Sequence, residues 1–67
     1  MTEPTHVLCR ETVEDDLDVY NIRGKYYEIY SITEDTYEVA VEPGLDIDEI
    51  IIKKDDPSFL VVFKKED

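Results

Sequence analysis

The sequence predicts an all-β protein, either a small antiparallel barrel or a strongly bent meander of five or six strands. Three observations carry that prediction. β-Branched and aromatic runs recur at short intervals, and glycine, proline and acidic clusters separate them. The central runs also alternate apolar and polar residues with the period of two that a half-buried strand requires. The stretch from Asp16 to Glu42 shows all three features and holds all five tyrosines.

A chain of 67 residues makes one domain near the lower limit for folding without a staple. Cys9 is the single cysteine, so no internal disulfide can form. His6 and Cys9 are too few soft ligands for zinc, and no metal or other cofactor is expected. No signal peptide or membrane span is legible, and a reducing cytoplasm is the expected compartment.

Residues 1–5 and 65–67 are expected to fray. His6 to Arg10 reads as a short strand, followed by a polar connection over 11–16 in which Val13 turns toward the core. A second strand is expected over Leu17–Ile22, with no clean inward face. Arg23-Gly24-Lys25 makes a tight turn, because Gly24 is free to take a positive φ. Tyr26–Ile32 forms the next strand. Tyr37–Glu42 forms the cleanest one, with Tyr37, Val39 and Val41 on one face and Glu38, Ala40 and Glu42 on the other. Pro43-Gly44 ends it. Residues 45–49 fit either a short helical turn or an extended lead-in, and Ile50-Ile51-Ile52 favours strand. Asp55-Asp56-Pro57-Ser58 is a turn. Phe59–Phe63 is apolar on both faces, which suits a central strand, a barrel corner or a contact with a partner. Phe59, Val61 and Phe63 are therefore candidate dimer contacts.

Val7-Leu8-Cys9, the acidic loop, Ile22-Arg23-Gly24-Lys25-Tyr26-Tyr27-Glu28-Ile29 and Tyr37-Glu38-Val39 together resemble small SH3-like barrel proteins of phages and prophages. The resemblance covers roughly residues 7–44 and implies an SH3-like barrel. It does not extend to the C-terminal third, where Leu45–Ile52 lacks the Tyr-Leu-Tyr-Pro-like segment that the family pattern carries.

Catalysis is not expected. His6 and Cys9 are three apart, which on a strand sets them on opposite faces. The many carboxylates lack the isolated, apolar setting that acid–base work requires. Asp46-x-Asp48-Glu49 opens like a calcium loop, but Ile51 and Pro57 stand where its glycine and bidentate acid belong.

Charge is the outlier. Eighteen acidic against seven basic residues leave a net of −11. Residues 1–10 and 50–67 each cancel, whereas residues 11–49 set thirteen carboxylates against Arg23 and Lys25. Such a chain repels nucleic acid and anionic membrane, so neither is an expected partner. A row of carboxylates on strand spacing imitates a phosphate backbone instead, and would attract a protein built to grip DNA. The residues expected to stand in for phosphates are Glu14, Asp15, Asp16, Asp18, Glu28, Glu34, Asp35, Glu38, Glu42, Asp46, Asp48 and Glu49. Tyr20, Tyr26 and Tyr30 are expected to add contact area. In size and acidity the chain is similar to phage inhibitors of uracil-DNA glycosylase, restriction enzymes and the nucleoid protein HU. The expectation is therefore an acidic DNA mimic acting in a bacterial host on a basic protein, first an HU-like protein, then an RNA polymerase subunit or a nuclease. The alternatives are an SH3-like peptide-binding module or an assembly subunit, whose acidity gives solubility alone.

Overall fold

The computed structural model describes residues 3–63. Seven strands follow in order: β1 (His6–Cys9), β2 (Val13–Glu14), β3 (Val19–Asn21), β4 (Tyr26–Ile32), β5 (Thr36–Ala40), β6 (Glu49–Lys53) and β7 (Phe59–Val62). Five of them form one antiparallel sheet in the order β6-β5-β4-β1-β7, and β2 pairs with β3 as a separate hairpin. The all-β expectation is met in the form of a curled half-barrel plus this hairpin. The expected fraying over 65–67 lies outside the described residues. At the other end, Thr5 is tied into the sheet: its N–H donates to the Val62 carbonyl at 3.0 Å and its carbonyl accepts from the Ile29 N–H at 3.0 Å.

The curl originates in β4. Its first half pairs with β1, matching His6 with Glu28, Val7 with Tyr27 and Leu8 with Tyr26. Its second half pairs with β5, and the register shifts between Ile29 and Ser31. A bulge at that place bends a strand and increases its twist, so one strand serves two halves. β5 then pairs with β6 from Thr36↔Lys53 to Ala40↔Glu49, and β1 pairs with β7 from His6↔Val62 to Cys9↔Phe59.

Turn chemistry sets the ends. Lys25 N–H donates to the Ile22 carbonyl at 3.1 Å, and Gly24 sits between them with φ +90°, a value that favours glycine. Gly44 takes the same φ behind Pro43. Between β4 and β5, the Thr33 hydroxyl accepts from the Thr36 N–H at 3.0 Å. Between β6 and β7, Asp56 Oδ1 accepts from the Ser58 N–H at 2.9 Å.

The inward faces of the strands make a small core of Val7, Cys9, Tyr27, Tyr37, Val39 and Ile52, with Ile29, Ile32, Ile50, Phe59 and Val61 packed against it. The Cys9 thiol is buried and donates to the Glu11 carbonyl at 3.1 Å. Burial pushes its pKa up, so it behaves as a core hydrophobe. His6 faces the opposite way from Cys9, as the spacing required, but it lies half-buried within β1 and not at a loose end.

Several expectations change. The strand expected from Leu17 begins at Val19, and Leu17 is 88% exposed in the preceding turn. The polar connection over 11–16 contributes a strand of its own, β2. β5 ends at Ala40, so Glu42 lies beyond it. No helical turn forms over 45–49; β6 begins at Glu49. Phe59–Phe63 is an edge strand: Phe59 and Val61 pack on this chain's own core, while Leu60 and Phe63 are about half exposed. Among the described residues no helix is long and apolar enough to cross a membrane.

Val39 is fully buried at the sheet centre, whereas Leu17 contacts water. Urea unfolding should show Val39→Ala losing about 2 kcal/mol, with Leu17→Ala within about 0.5 kcal/mol of the parent.

Candidate functional site

The acidic residues fall into separate groups with different jobs. The first is the β2–β3 hairpin. Its tip closes with the Asp15 N–H donating to the Asp18 carbonyl at 3.0 Å. Asp15 Oδ1 accepts from the N–H groups of Leu17 and Asp18, each at 2.8 Å, and Oδ2 accepts from the Tyr20 hydroxyl. These donors, the Tyr20 hydroxyl first, hold the Asp15 carboxyl below its usual range. The same bond, more than burial, raises the Tyr20 hydroxyl. Asp15 is thus the organiser of the tip, and its lone pairs are largely taken. Glu14, Asp16 and Asp18 are exposed around it, with Leu17 projecting among them.

The second group fixes the hairpin to the barrel. The Glu42 carboxylate accepts from the Tyr27 hydroxyl at 2.6 Å and pairs with Lys25 Nζ at 2.9 Å. The Tyr27 hydroxyl accepts in turn from the Ile22 N–H at 2.7 Å. Glu42 N–H donates to the Tyr20 carbonyl at 2.8 Å, and Asn21 Nδ2 donates to the Ala40 carbonyl at 3.0 Å. Tyr27 and then Lys25 hold Glu42 below its ordinary pKa. Burial, and then the Glu42 bond, push Tyr27 up to about 12. Buried Asn21 keeps its Oδ1 without a protein partner. Its place is where the hairpin meets the end of β5.

The third group lies on the outer face of β5 and β6. Ala40 is opposite Glu49 and Glu38 is opposite Ile51, so the two glutamates are diagonal neighbours on one face. Glu49 is raised, first by its hydrogen bond with Glu38 and then by that neighbour's charge, with burial and Asp48 adding to it. Asp46 and Asp48 are exposed in the approach to β6. The fourth group, Glu34 and Asp35, is exposed at the β4–β5 turn, where the Lys54 backbone N–H donates to the Asp35 backbone carbonyl at 2.9 Å. Lys54 Nζ stands 5.5 Å over the Tyr37 ring.

Glu28, Glu38 and Glu42 have different surroundings. Glu28 lies in the half of β4 that pairs with β1 and faces His6, Glu38 faces Ser31 and Ile51, and Glu42 turns in to Tyr27. β5 ends at Ala40, and beyond it Glu42 turns to Tyr27. Of the tyrosines, Tyr27 and Tyr37 are core, Tyr20 serves the tip, and Tyr26 and Tyr30 are exposed. Tyr30 lines an open hollow of about 620 Å³ with Glu3, Pro4, His6, Glu28 and Ile32. Reasoning from sequence missed Leu17 as a projecting residue, although a lone leucine inside an acidic run is a visible signal. It also missed Lys25 and Tyr27 as positioning groups. Among the described residues no three His, Cys, Asp or Glu side chains could together hold a metal ion. No family model, curated protein or solved structure matches this chain.

Removing the Tyr27 hydroxyl leaves the Ile22 N–H and the Glu42 carboxylate short of a partner. Tyr27→Phe should cost about 1–2 kcal/mol in chemical denaturation. It should also let the Glu42 pKa climb back toward its usual value in an NMR titration. Glu42 and Asp15 are depressed, so their contribution is complete above the ordinary carboxylate range and is lost as pH falls through their folded values. Glu49 is raised and acts oppositely: its charging opposes folding as pH rises. Glu49→Gln should therefore increase the melting temperature at neutral pH and leave it unchanged in acid.

Proposed function

We propose that this protein acts by binding, as an acidic decoy that occupies the DNA-gripping surface of a basic protein. The observation that carries the reading is the β2–β3 hairpin, a preorganised tip presenting Glu14, Asp16 and Asp18 to solvent while Asp15 spends its own charge on holding the shape. Overall density supports it. Eleven net charges along a 39 Å axis average one per about 3.5 Å, about half the density of duplex DNA, which carries one per roughly 1.7 Å of axis. A DNA-binding cleft lined by Lys and Arg would be drawn to this surface, and salt would weaken the attraction.

Within this reading, the exposed acids are the phosphate stand-ins. Glu14, Asp16, Asp18, Glu28, Glu34, Asp35, Asp46 and Asp48 are exposed and open to a partner. Asp15 and Glu42 position, and Glu38 with Glu49 offers a crowded pair whose repulsion a partner's cation would relieve. An HU-like nucleoid protein is the first target, because its DNA contacts are led by the backbone and not by sequence; RNA polymerase subunits and nucleases follow. A phage acting in its bacterial host's cytoplasm is the setting this implies. The second reading is a small SH3-like module binding a basic peptide, and the Tyr30 hollow with Glu3 and Glu28 at its margin favours it.

The test is a pull-down from bacterial lysate with the parent chain and a Glu14→Gln, Asp16→Asn, Asp18→Asn variant, washed at low and high salt. A basic DNA-binding protein should be retained, released by salt and displaced by duplex DNA. Its association rate should fall roughly tenfold or more with the variant. Retention that ignores both salt and the substitutions, or no basic protein retained at all, would remove the decoy reading.

A further inference from the structure

The basic residues are not all used alike. Lys25 pairs with Glu42 at 2.9 Å, and Lys53 and Lys54 share a hollow with Glu34, Asp35 and Asp55. The Tyr30 hollow holds Glu3 and Glu28 and neither lysine nor arginine. One place reverses this balance. Arg10 and Arg23, the two arginines of the chain, line a single open hollow of about 410 Å³ in which Glu11 is the one acid. Both side chains are exposed. Among the described residues, neither donates a side-chain hydrogen bond or enters an ion pair.

The backbone holds both arginines at this hollow. Arg10 follows β1 directly, and its N–H donates to the Ser58 carbonyl at 2.7 Å. The Arg23 N–H donates to the Thr12 hydroxyl at 3.1 Å. The Gly24 N–H donates to the Cys9 carbonyl at 2.8 Å, and the Cys9 N–H donates to the Lys25 carbonyl at 2.9 Å. The turn that carries Arg23 is thus fixed to the residue before Arg10. Gly24 borders the hollow without a side chain, and the space where its Cβ would stand is open to 4 Å. Leu8 and Pro57 supply apolar wall.

We propose that this hollow binds a small phosphate monoester, its phosphoryl group held by Arg10 and Arg23 and its organic part lying against Leu8 and Pro57. A guanidinium stays charged and presents a planar fork of donors that engages two oxygens at once. One such fork occupies both oxygens of a carboxylate. A phosphoryl group offers three acceptor oxygens, so two forks from separate segments can share it. The hollow is larger than a bare phosphate needs and lies at the lower end of the range for small-ligand sites, roughly 300–1,000 Å³. The remaining space adjoins the apolar wall, which suits an ester and not the free ion.

Charge limits the ligand. Two arginines against Glu11 leave the lining at +1, enough to receive one phosphoryl group. A polyphosphate or a nucleic-acid strand would bring its further charges against Glu11 and into the field of a chain that carries −11, and would be repelled. The same field opposes even a single anion, so the expected dissociation constant is on the order of a millimolar. Arg10, Arg23, Leu8 and Pro57 take no part in the decoy surface, and the two proposals therefore fail separately.

NMR titration of the full chain with glycerol phosphate, inorganic phosphate and acetate, at constant ionic strength in chloride, tests the site. Glycerol phosphate should saturate, with shifts concentrated at the Arg10, Glu11, Arg23, Gly24 and Ser58 amides and at the two arginine side chains. Inorganic phosphate should bind several-fold more weakly, and acetate roughly tenfold or more weakly. Arg10→Gln and Arg23→Gln should each weaken the ester roughly tenfold or more with an unchanged circular dichroism spectrum. Arg10→Lys keeps the charge without the fork and should restore only part of that loss; it also decides the matter if a glutamine variant fails to fold. Shifts that never saturate or that spread over the whole chain, acetate binding as tightly as the ester, or binding indifferent to the folded variants would overturn the site. Inorganic phosphate binding as tightly as the ester would remove the organic part from the assignment.

Discussion

The bond between Tyr27 and Glu42 is the contact on which the placement of the acidic segment depends. Tyr27 is rooted in the core by β4, and its hydroxyl reaches out to hold both the Ile22 N–H and the Glu42 carboxylate. One phenol thereby ties the end of the hairpin to the chain leaving β5, and Lys25 neutralises the carboxylate that is drawn inward. Without that node, repulsion among thirteen carboxylates would favour lifting the hairpin away from the half-barrel. With it, the hairpin has a defined orientation, and the fold takes in one negative charge to aim several others.

Segments whose partners lie close in sequence were legible. Tyr26–Ile32 and Tyr37–Ala40 alternate, Gly24 and Pro43-Gly44 mark their turns, and the all-β class followed from them. The hairpin was less legible because Asp15 looks like any solvated acid until its side chain is seen accepting bonds from Leu17, Asp18 and Tyr20. Glu42 was read as part of a strand face because its partner Tyr27 stands fifteen positions earlier and nothing local announces it. The Ile29–Ser31 bulge was not legible either, since it shifts register without a glycine or proline to mark it. Phe59–Phe63 read as doubly apolar, which it is. That it forms an edge is decided by β1, more than fifty residues away in the chain.

A surface of this kind separates shape from charge. Asp15 and Glu42 are held ionised by donors and set geometry; Glu14, Asp16 and Asp18 contribute field and few contacts. Leu17 stands among them as an apolar tip that phosphate imitation does not require. An exposed leucine ringed by acids is the composition of a contact centre with a charged rim, so a target with a small apolar recess between its basic residues would be favoured over a uniformly basic cleft. In the proposed decoy, such a residue would add discrimination to an otherwise long-range and permissive attraction.

The register of β1 against β7 has a kinetic side. β1 sits between β4 and β7, yet one of those neighbours is complete by residue 32 and the other begins at residue 59. During synthesis the inner strand therefore has one neighbour available well before the other emerges. Closing the remaining side means joining segments separated by most of the chain, the kind of contact that slows folding. In that interval the Val7 and Cys9 face lacks the Phe59 and Val61 side chains that pack against it in the finished fold, and the dense negative charge of the intervening segment keeps nascent copies apart while it stays uncovered.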